Sequence, residues 1–495
     1  MAISFNQIQA TLRVPIVAVE ISNENAVQGS TIQPYKILVI GQRLPTGSVV
    51  AHVPTRITSV AQAKNFFGTG SMLAHMLEAL IRVNNFTETW AIAVDDDAAA
   101  QAATCTITVV GAPTAGGTIN MYVSGRRMTV GVNVSDDAEA IASNISTSIN
   151  ANADMPVTAT SALGVVTLTS KNAGAAGNGI DIRFNFHTGE EFPSGVRATA
   201  TTFSGGTSNP DLAAAIAALG DQQYHVIALP YTDAVSLSTI EAELSDRWGP
   251  MRMIEGMAFA ASRENHSGLG TLGNSRNSPH VSIMGAYGIP NAPWEVAAAV
   301  AGTVAFYSNI DPARQFKTLP LTGILPPASG DRFTMQERNI LLYDGISTFV
   351  VDAGGVVRLE RIITTYKTNP AGADDPSYLD AMTPMLLCFL RWDFRNHILR
   401  KYPRHKLAND GTRYGVGQAI ITPKIGKAEA VAKFRDWEDM GLVENGEQFK
   451  RDLICERNAT DPNRLDWLLS PDIINNFMVG AAKIAFLLQG AERPS

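Results

Sequence analysis

Residues 35–40 read YKILVI and are followed by Gly41. A short apolar run stopped by a glycine is the pattern of a buried strand. Downstream, Ser71 can cap a helix in which Leu73, Met76, Leu77, Leu80 and Ile81 fall on one face. The segment 90–94, WAIAV, supplies a second strand and ends in the acidic run Asp95, Asp96, Asp97. Strand, helix and strand in that order predict the start of an α/β core.

The character of the chain then changes. From residue 98 to about 208 it is rich in Thr, Ser, Gly and Ala. Short alternating runs appear there: TCTITVV from Thr104, TINMYVSG from Thr118, VVTLTS from Val165, IDIRFNF from Ile180 and VRATATTF from Val196. Alternation with glycine-containing turns predicts β-strands, and one helix, 136–149, interrupts them. After Asn209-Pro210 the α/β pattern resumes, with a helix at 211–219, a strand at 225–229, a helix at 234–248, strands at 257–261 and 282–287, and a helix opened by Pro293. One pattern on both sides of a foreign block predicts a discontinuous core domain with an insertion.

Further on, 335–343 reads as a helix, and 346–351 with 356–361 as a hairpin around Asp352-Ala353-Gly354-Gly355. The Pro/Gly/Asp-rich stretch 369–376 reads as a linker. Beyond it, Leu387, Leu390, Phe394 and Ile398 keep a helical period behind Thr383-Pro384, and the helix 427–440 buries Val431, Phe434 and Trp437. Two further segments look like strands without a place in the core. RVPIVAVEI (13–21) lies in an extended opening of thirty residues, and its Pro15 suits an edge strand. KIAFLLQ (483–489) sets Ile484, Phe486 and Leu488 on one face. The fold class expected is therefore α/β and α+β multidomain. Its parts are an arm (1–30), a core α/β domain in two pieces (31–95 and 210–368), an inserted β-rich domain (96–209) and a mixed α+β C-terminal domain (369–495).

Composition narrows the chemistry. Charged residues are 17% of the chain, hydrophobic ones 45%, and the net charge is −7, which gives no basic face for wrapping nucleic acid. Cys105, Cys388 and Cys455 are too scattered for a disulfide framework or a zinc site and read as small buried residues of a reducing compartment. The opening has no signal-peptide pattern, and the longest apolar run, 296–310, is shorter than the roughly 20 residues a membrane helix needs.

Candidate sites are few. GLGTLG (268–273) matches the dinucleotide pattern, but its next residues are Asn274-Ser275-Arg276-Asn277-Ser278-Pro279, so a flexible glycine-rich loop is expected. Ile425-Gly426-Lys427 resembles the end of a phosphate loop, yet Ile421 and Ala428 stand where Gly and Ser or Thr are required. Asp95–Asp97 read as a solvated boundary, since hard-cation sites need spaced ligands. His397 and His405 lack a second ligand pair. Asn133, Asn144, Asn265 and Asn458 fit the glycosylation pattern, which a cytoplasmic chain does not use. No catalytic, cofactor-binding or metal residue is expected. One basic stretch stands out in an acidic chain: Arg391, Arg395, Arg400, Lys401, Arg404, His405 and Lys406. It is either a solvated helix face or a docking surface for an acidic partner, and it lacks the aromatic platform that single-stranded nucleic acid would need.

Residues 406–424, KLANDGTRYGVGQAIITPK, 428–445, AEAVAKFRDWEDMGLVEN, and 456–489, ERNATDPNRLDWLLSPDIINNFMVGAAKIAFLLQ, resemble the tail sheath proteins of Mu-like contractile phages and prophages. The opening ISFNQIQATLRVPIVAVEIS (3–22) is similar to that family's start, and the Thr/Gly-rich block resembles its variable outer domain. The resemblance implies a virion protein, assembled in the host cytoplasm, whose copies stack in rings around a tail tube and contract to drive it through the host envelope. It implies no cofactor and no enzymatic activity. The implied partners are other copies of the chain, the tail tube protein, and baseplate and terminator proteins, with no direct nucleic acid and no membrane insertion.

In that reading Val14, Ile16, Val17, Val19, Ile21, Ile484, Phe486 and Leu488 exchange strands between subunits. Arg391, Arg395, Arg400, Lys401, Arg404 and Lys406 face the tube from the inner, C-terminal domain. Strand addition suits an arm independently of the resemblance, since backbone hydrogen bonds give affinity and about 20 extended residues reach at most ~70 Å. Three alternatives are a related contractile injection machine, a non-contractile polymer or adhesin, and a nucleotide-binding enzyme using Gly268 to Gly273.

Overall fold

A computed structural model describes residues 33–486. The run YKILVI becomes β1 (Lys36–Gln42), buried over nearly its whole length. After it come β2 (Thr55–Ile57), α1 (Val60–Phe67), α2 (Met72–Val83) and β3 (Glu88–Val94). Ser59 and Ser71 cap the helices, their hydroxyls accepting from Gln62 N at 3.2 Å and Ala74 N at 3.1 Å. Each cap satisfies one of the amides that a helix start leaves without a partner. The Ser71 helix matches expectation; β2 and α1 are additional.

The intervening block contains β4 (Thr104–Gly111), β5 (Gly117–Val123), β6 (Arg126–Val132), α3 (Ala138–Ala151), β7 (Val157–Ala162), β8 (Val165–Ser170), β9 (Ile182–Phe184) and β10 (Val196–Ala200). Its strands form two antiparallel sheets, ordered β10-β4-β8-β7 and β6-β5-β9. Strands β6 and β7 go beyond the expected set. Both are entered or left through tight hairpins at Ser124-Gly125 and Leu163-Gly164, where each residue has a positive φ. The strong sequence signal for such turns is Asn-Gly or Asp-Gly, and a leucine conceals it.

Beyond the block come α4 (Ala213–Leu219), β11 (Val226–Ala228), α5 (Ala234–Trp248), β12 (Met257–Ser262), α6 (His266–Asn274), β13 (Val281–Gly285) and α7 (Pro293–Ile310). The central sheet runs β13-β12-β11-β1-β3-β2. It is parallel except for β2. Strand β1 lies between β3 and β11, so strands from both sides of the block share one ladder. Helix α7 packs on α2 and is buried almost all round, which its small residues permit. At Gly302 a Cβ would stand 2.7 Å from Val83 Cγ2, and Asn84 Nδ2 donates to the Gly302 carbonyl at 3.0 Å.

The block is held to α2 and α7 by charge as well as by apolar contact. Arg126 pairs with Glu295 of α7 and lies 3.4 Å from Glu78 of α2. Asp154 receives Lys64 Nζ at 2.9 Å, and its carbonyl accepts from His75 Nε2 at the same distance. Burial works against the Asp154 carboxylate, but His75 and Lys64 hold it well below the usual carboxylate range. Of Asp95–Asp97, Asp95 is exposed as a solvated boundary would be, whereas Asp96 is drawn into a network with segments distant in the chain. Asp95 pairs with Arg43 at 2.7 Å. Asp96 accepts from Gln42 Nε2 at 2.6 Å, Asn172 Nδ2 at 3.1 Å and Ala173 N at 2.8 Å. Asp97 accepts from Ala99 N at 2.8 Å.

The glycine run GLGTLG is helix, not loop. It lies inside α6, which Asn265 opens by accepting from Gly268 N at 2.9 Å. Poor intrinsic propensity is overridden by packing: a Cβ at Gly273 would meet the Asp344 carbonyl oxygen at 2.3 Å, and one at Gly270 the Asp344 Oδ2 at 2.8 Å. The helix starts before the glycines instead of after them, so the geometry that holds a pyrophosphate is absent from this segment and the nucleotide-enzyme alternative loses its motif.

The chain continues through α8 (Met335–Tyr343) and the hairpin of β14 (Thr348–Val351) and β15 (Val357–Arg361). It then forms α9 (Met382–Lys401), β16 (Lys406–Leu407), β17 (Ile420–Ile421), α10 (Pro423–Asp439), β18 (Val443–Glu444), α11 (Gly446–Asp452), β19 (Ile454–Arg457), β20 (Leu465–Leu468) and β21 (Asp472–Ile473). Helix α10 begins earlier than its apolar period suggests. Thr422 caps it and Pro423 fits its first turn, which places Ile425, Gly426 and Lys427 inside the helix. Two apolar clusters result. One joins the central sheet and the inserted strands, and the other gathers Leu386, Leu390, Ala430, Phe434, Trp437 and Phe449 with Ala313. No helix among the described residues is long and apolar enough to cross a membrane.

Because Gly273 abuts backbone, Gly273→Ala is expected to destabilise the chain by about 1–3 kcal/mol, measured as a lower urea midpoint. A flexible loop would tolerate the change, and an open helix would gain about 1 kcal/mol from it.

Candidate assembly surfaces

Helix α9 carries the basic stretch as far as Lys401, with Arg404 to Lys406 following it, and the structure divides the set. Arg391 is an internal tie. Its guanidinium lies 2.6 Å from Glu255, donates to the Trp248 carbonyl at 2.7 Å and stacks 4.8 Å from the Trp248 ring centroid. Glu255 is buried, so the pair fixes α9 to the loop that leads into β12. Lys401 is also engaged, at 2.7 Å from Glu429. That carboxylate collects His397 Nε2 at 2.8 Å and the Tyr402 hydroxyl at 2.7 Å as well. Although burial raises it, the hydrogen bonds from Lys401, Tyr402 and His397 hold Glu429 below the usual carboxylate range. Burial and Glu429 together push the Tyr402 phenol up.

The remaining members, Arg395, Arg400, Arg404 and Lys406, are exposed. Lys406 reaches Gln418 at 3.0 Å, and Arg395, Arg400 and Arg404 make no ion pair among the described residues. The structure therefore pairs two of the six expected cations, Arg391 and the exposed Lys401, with carboxylates and leaves the other four without an ion pair among the described residues. His397 and His405 do not converge: His405 lies edge-on to the Tyr402 ring, with centroids 4.8 Å apart. Among the described residues no group of three or more His, Cys, Asp or Glu side chains could hold a metal ion. Cys105 is buried, and Cys388 and Cys455 are half-buried free thiols.

The C-terminal part has a second property that sequence reasoning missed. Its strands pair only two at a time: β16 with β17, β18 with β21, and β19 with β20. These ladders are two to four residues long, too short for the periodicity that reveals a strand. Each leaves outer backbone edges without a strand partner among the described residues. A lone two-stranded ladder is marginal by itself, and the β18–β21 and β19–β20 pairs share an apolar cluster with α9 and α10. Trp437 Nε1 donates to Asp393 at 2.7 Å, and Lys433 pairs with the same carboxylate at 2.7 Å.

Beyond β21 the chain runs out as a tail. Phe477, Val479, Ile484 and Phe486 are 75–90% exposed, the extremes being Phe477 and Ile484. Residues 483–486 make no ladder. Leu488, Val14, Ile16, Val17, Val19 and Ile21, and the opening arm with them, lie outside the described residues.

Two variants separate the roles on α9. Arg391→Ala leaves Glu255 buried without its cation and is expected to cost about 3 kcal/mol in urea unfolding, whereas Arg395→Ala stays within about 0.5 kcal/mol. The depressed pKa of Glu429 contributes stability above the unfolded value, and that contribution is lost as pH falls through the folded pKa. Glu429→Gln should therefore lower stability at pH 7 and weaken its fall below about pH 4.3, as read by urea midpoints across pH.

The family described as "Phage tail sheath protein central domain" matches residues 205–365, and "Phage tail sheath C-terminal domain" matches residues 373–486. Over 488 residues the chain is 40% identical to the Mu-like prophage FluMu tail sheath protein of Haemophilus influenzae, covering 99% of this chain and 100% of that protein. Among solved structures, the sheath tail protein of Desulfitobacterium hafniense is similar at 13% identity and a TM-score of 0.48, over 92% of this chain and 100% of the other. That of Listeria innocua is similar at 13% identity and a TM-score of 0.49, over 90% and 93%.

Proposed function

The chain belongs to the phage tail sheath family, whose members are structural and not catalytic, and from that premise we propose that its copies polymerise into a contractile sheath around a tail tube. The observation that supports this most is the C-terminal set of two-stranded ladders with open edges, beside an exposed apolar tail. Unpaired strand edges are templates for another chain, and an extended segment added to such an edge gains backbone hydrogen bonds in register. Residues around Val14 to Ile21 and around Ile484 to Leu488 are the segments assigned to this exchange. A segment passed from each copy to the next, without closing, produces an open polymer.

In the same reading the C-terminal portion lies inward. Arg395, Arg400, Arg404 and Lys406 face an acidic surface of the tube protein, while Arg391 and Lys401 hold α9 in place. Contraction is a change of packing between copies whose linking segments stay joined, from a kinetically held extended array to one of lower free energy. Baseplate and terminator proteins cap the ends of the array, assembly takes place in the host cytoplasm, and the work of contraction drives the tube through the envelope. Domain divisions at 30, 95, 209 and 368 serve this scheme as arm, core, outer insertion and inner polymerising part.

The test is electron microscopy of the purified full-length chain beside a deletion of residues 1–22 and a separate deletion of residues 483–495. Both deletions are expected to stay folded by circular dichroism and to form no sheaths. Long sheaths from either one would refute the role given to that segment.

A further inference from the structure

The tail does not leave the fold where its last strand ends. Asn476 Nδ2 donates to the Ala313 carbonyl at 3.2 Å. The Phe477 carbonyl accepts two side-chain donors, Gln315 Nε2 and Lys317 Nζ, each at 2.8 Å. The same ammonium sits 5.5 Å from the centroid of the Phe477 ring. That ring folds back on Gly480, where a Cβ would lie 2.9 Å from Phe477 Cζ. Met478 packs against the larger apolar cluster. Past it, Val479 and every described residue to Phe486 are exposed. Two donors converging on one main-chain carbonyl at the exposed edge of a molecule is an uncommon use of two long side chains. Holding Gln and Lys in place costs rotamer entropy, which the charge-assisted bond and the cation–ring contact offset.

The anchor is placed with equal economy. Ala313 belongs to the C-terminal apolar cluster, and Phe316, between the two donors, belongs to the larger one. The segment Ala313 to Lys317 thus bridges both clusters, and its side chains grip the tail at the point where the tail becomes free.

We propose that Gln315 and Lys317 form a clamp on the Phe477 carbonyl that sets the free length of the C-terminal arm and couples its exit point to the junction between the two cores. This rests on the arm being the segment that neighbouring copies share. With the clamp closed, the chain leaves the fold at Val479, and the described residues from there to Phe486 are exposed. With it open, the exit point moves back to Phe477, beside Asn476, which the Ala313 carbonyl still holds, so about two residues, at most ~7 Å of extended chain, join the free length. That added slack lets a neighbour slip by about two residues of register. A displacement between the cores is therefore passed to the next copy through a taut arm when the clamp is closed and absorbed when it is open.

The test uses the full-length chain and the double variant Gln315→Ala/Lys317→Ala, with Lys317→Arg as the conservative control. Limited chymotrypsin digestion of unpolymerised protein, read by the mass of the released fragment, reports cleavage after Phe477. The double variant is expected to be cut there at least ten-fold faster than the wild type, with Lys317→Arg close to wild type. Equal rates in all three would overturn the clamp. On triggered sheaths, electron microscopy should show mean contracted length falling at least three-fold in the double variant, and unchanged length would overturn the coupling to the cores. Absence of sheaths from the wild type itself would count against the polymer reading alone, because the cleavage ratio decides the clamp without any polymer. An unchanged far-ultraviolet circular dichroism spectrum and urea midpoint in the double variant exclude misfolding as the cause of faster cleavage.

Discussion

A strand edge exposes main-chain amides and carbonyls that no other strand pairs, and such edges set the C-terminal third of this chain apart among the described residues. Its three ladders stop at two strands each, and the helices behind them make up the support that a third and fourth strand would otherwise give. The Trp437–Asp393 bond ties α10 to α9, and Trp467 of β20 packs edge-on against Phe394 of α9. A monomeric protein of this size normally blunts or covers such edges. Here the exposed tail, with Phe477, Val479, Ile484 and Phe486 turned outward, carries the same kind of incompleteness in the opposite sense: apolar residues without a sheet beside a sheet without enough strands.

The central sheet follows the opposite policy. Strand β1 has neighbours on both sides, α7 is buried almost all round, and the inserted block is locked to it by Arg126 between Glu78 and Glu295. Removing one partner from such a buried arrangement leaves a charge that water cannot reach, so the penalty for separating the block from α2 and α7 is larger than the worth of any single contact. The molecule thus concentrates its rigidity in the centre and its unsatisfied bonding capacity at one end.

What the amino-acid string discloses tracks the length of each element. Strands β1 and β3 and helices α5, α7 and α8 are long or strongly patterned, and their residues announce them. Strand β7 hides behind a Leu163-Gly164 turn, and the ladders from β16 to β21 are too short for a period of two to show. The glycines of α6 mislead because their purpose lies in a distant partner. For Gly270 and Gly273 that partner is Asp344, which stands 70 residues beyond Asn274 and accepts its side-chain amide. Asp96 misleads for the same reason, since Gln42 and Asn172 converge on it from segments far apart in the chain. The basic stretch is visible as charge, but which cations are paired depends on Glu255 and Glu429, whose positions no local pattern reveals.

Helix α7 has one further consequence. Over the buried turns from Trp294 to Ala305, with Gly302 pressed against Val83, the helix is enclosed by its neighbours. Its Ser308 end meets Tyr35 at 2.8 Å, and its Glu295 end meets the inserted block through Arg126. Both ends of the helix are thus tied to other parts of the fold, the entry to β1 at one and β6 at the other, so the central sheet and the inserted block share one buried member.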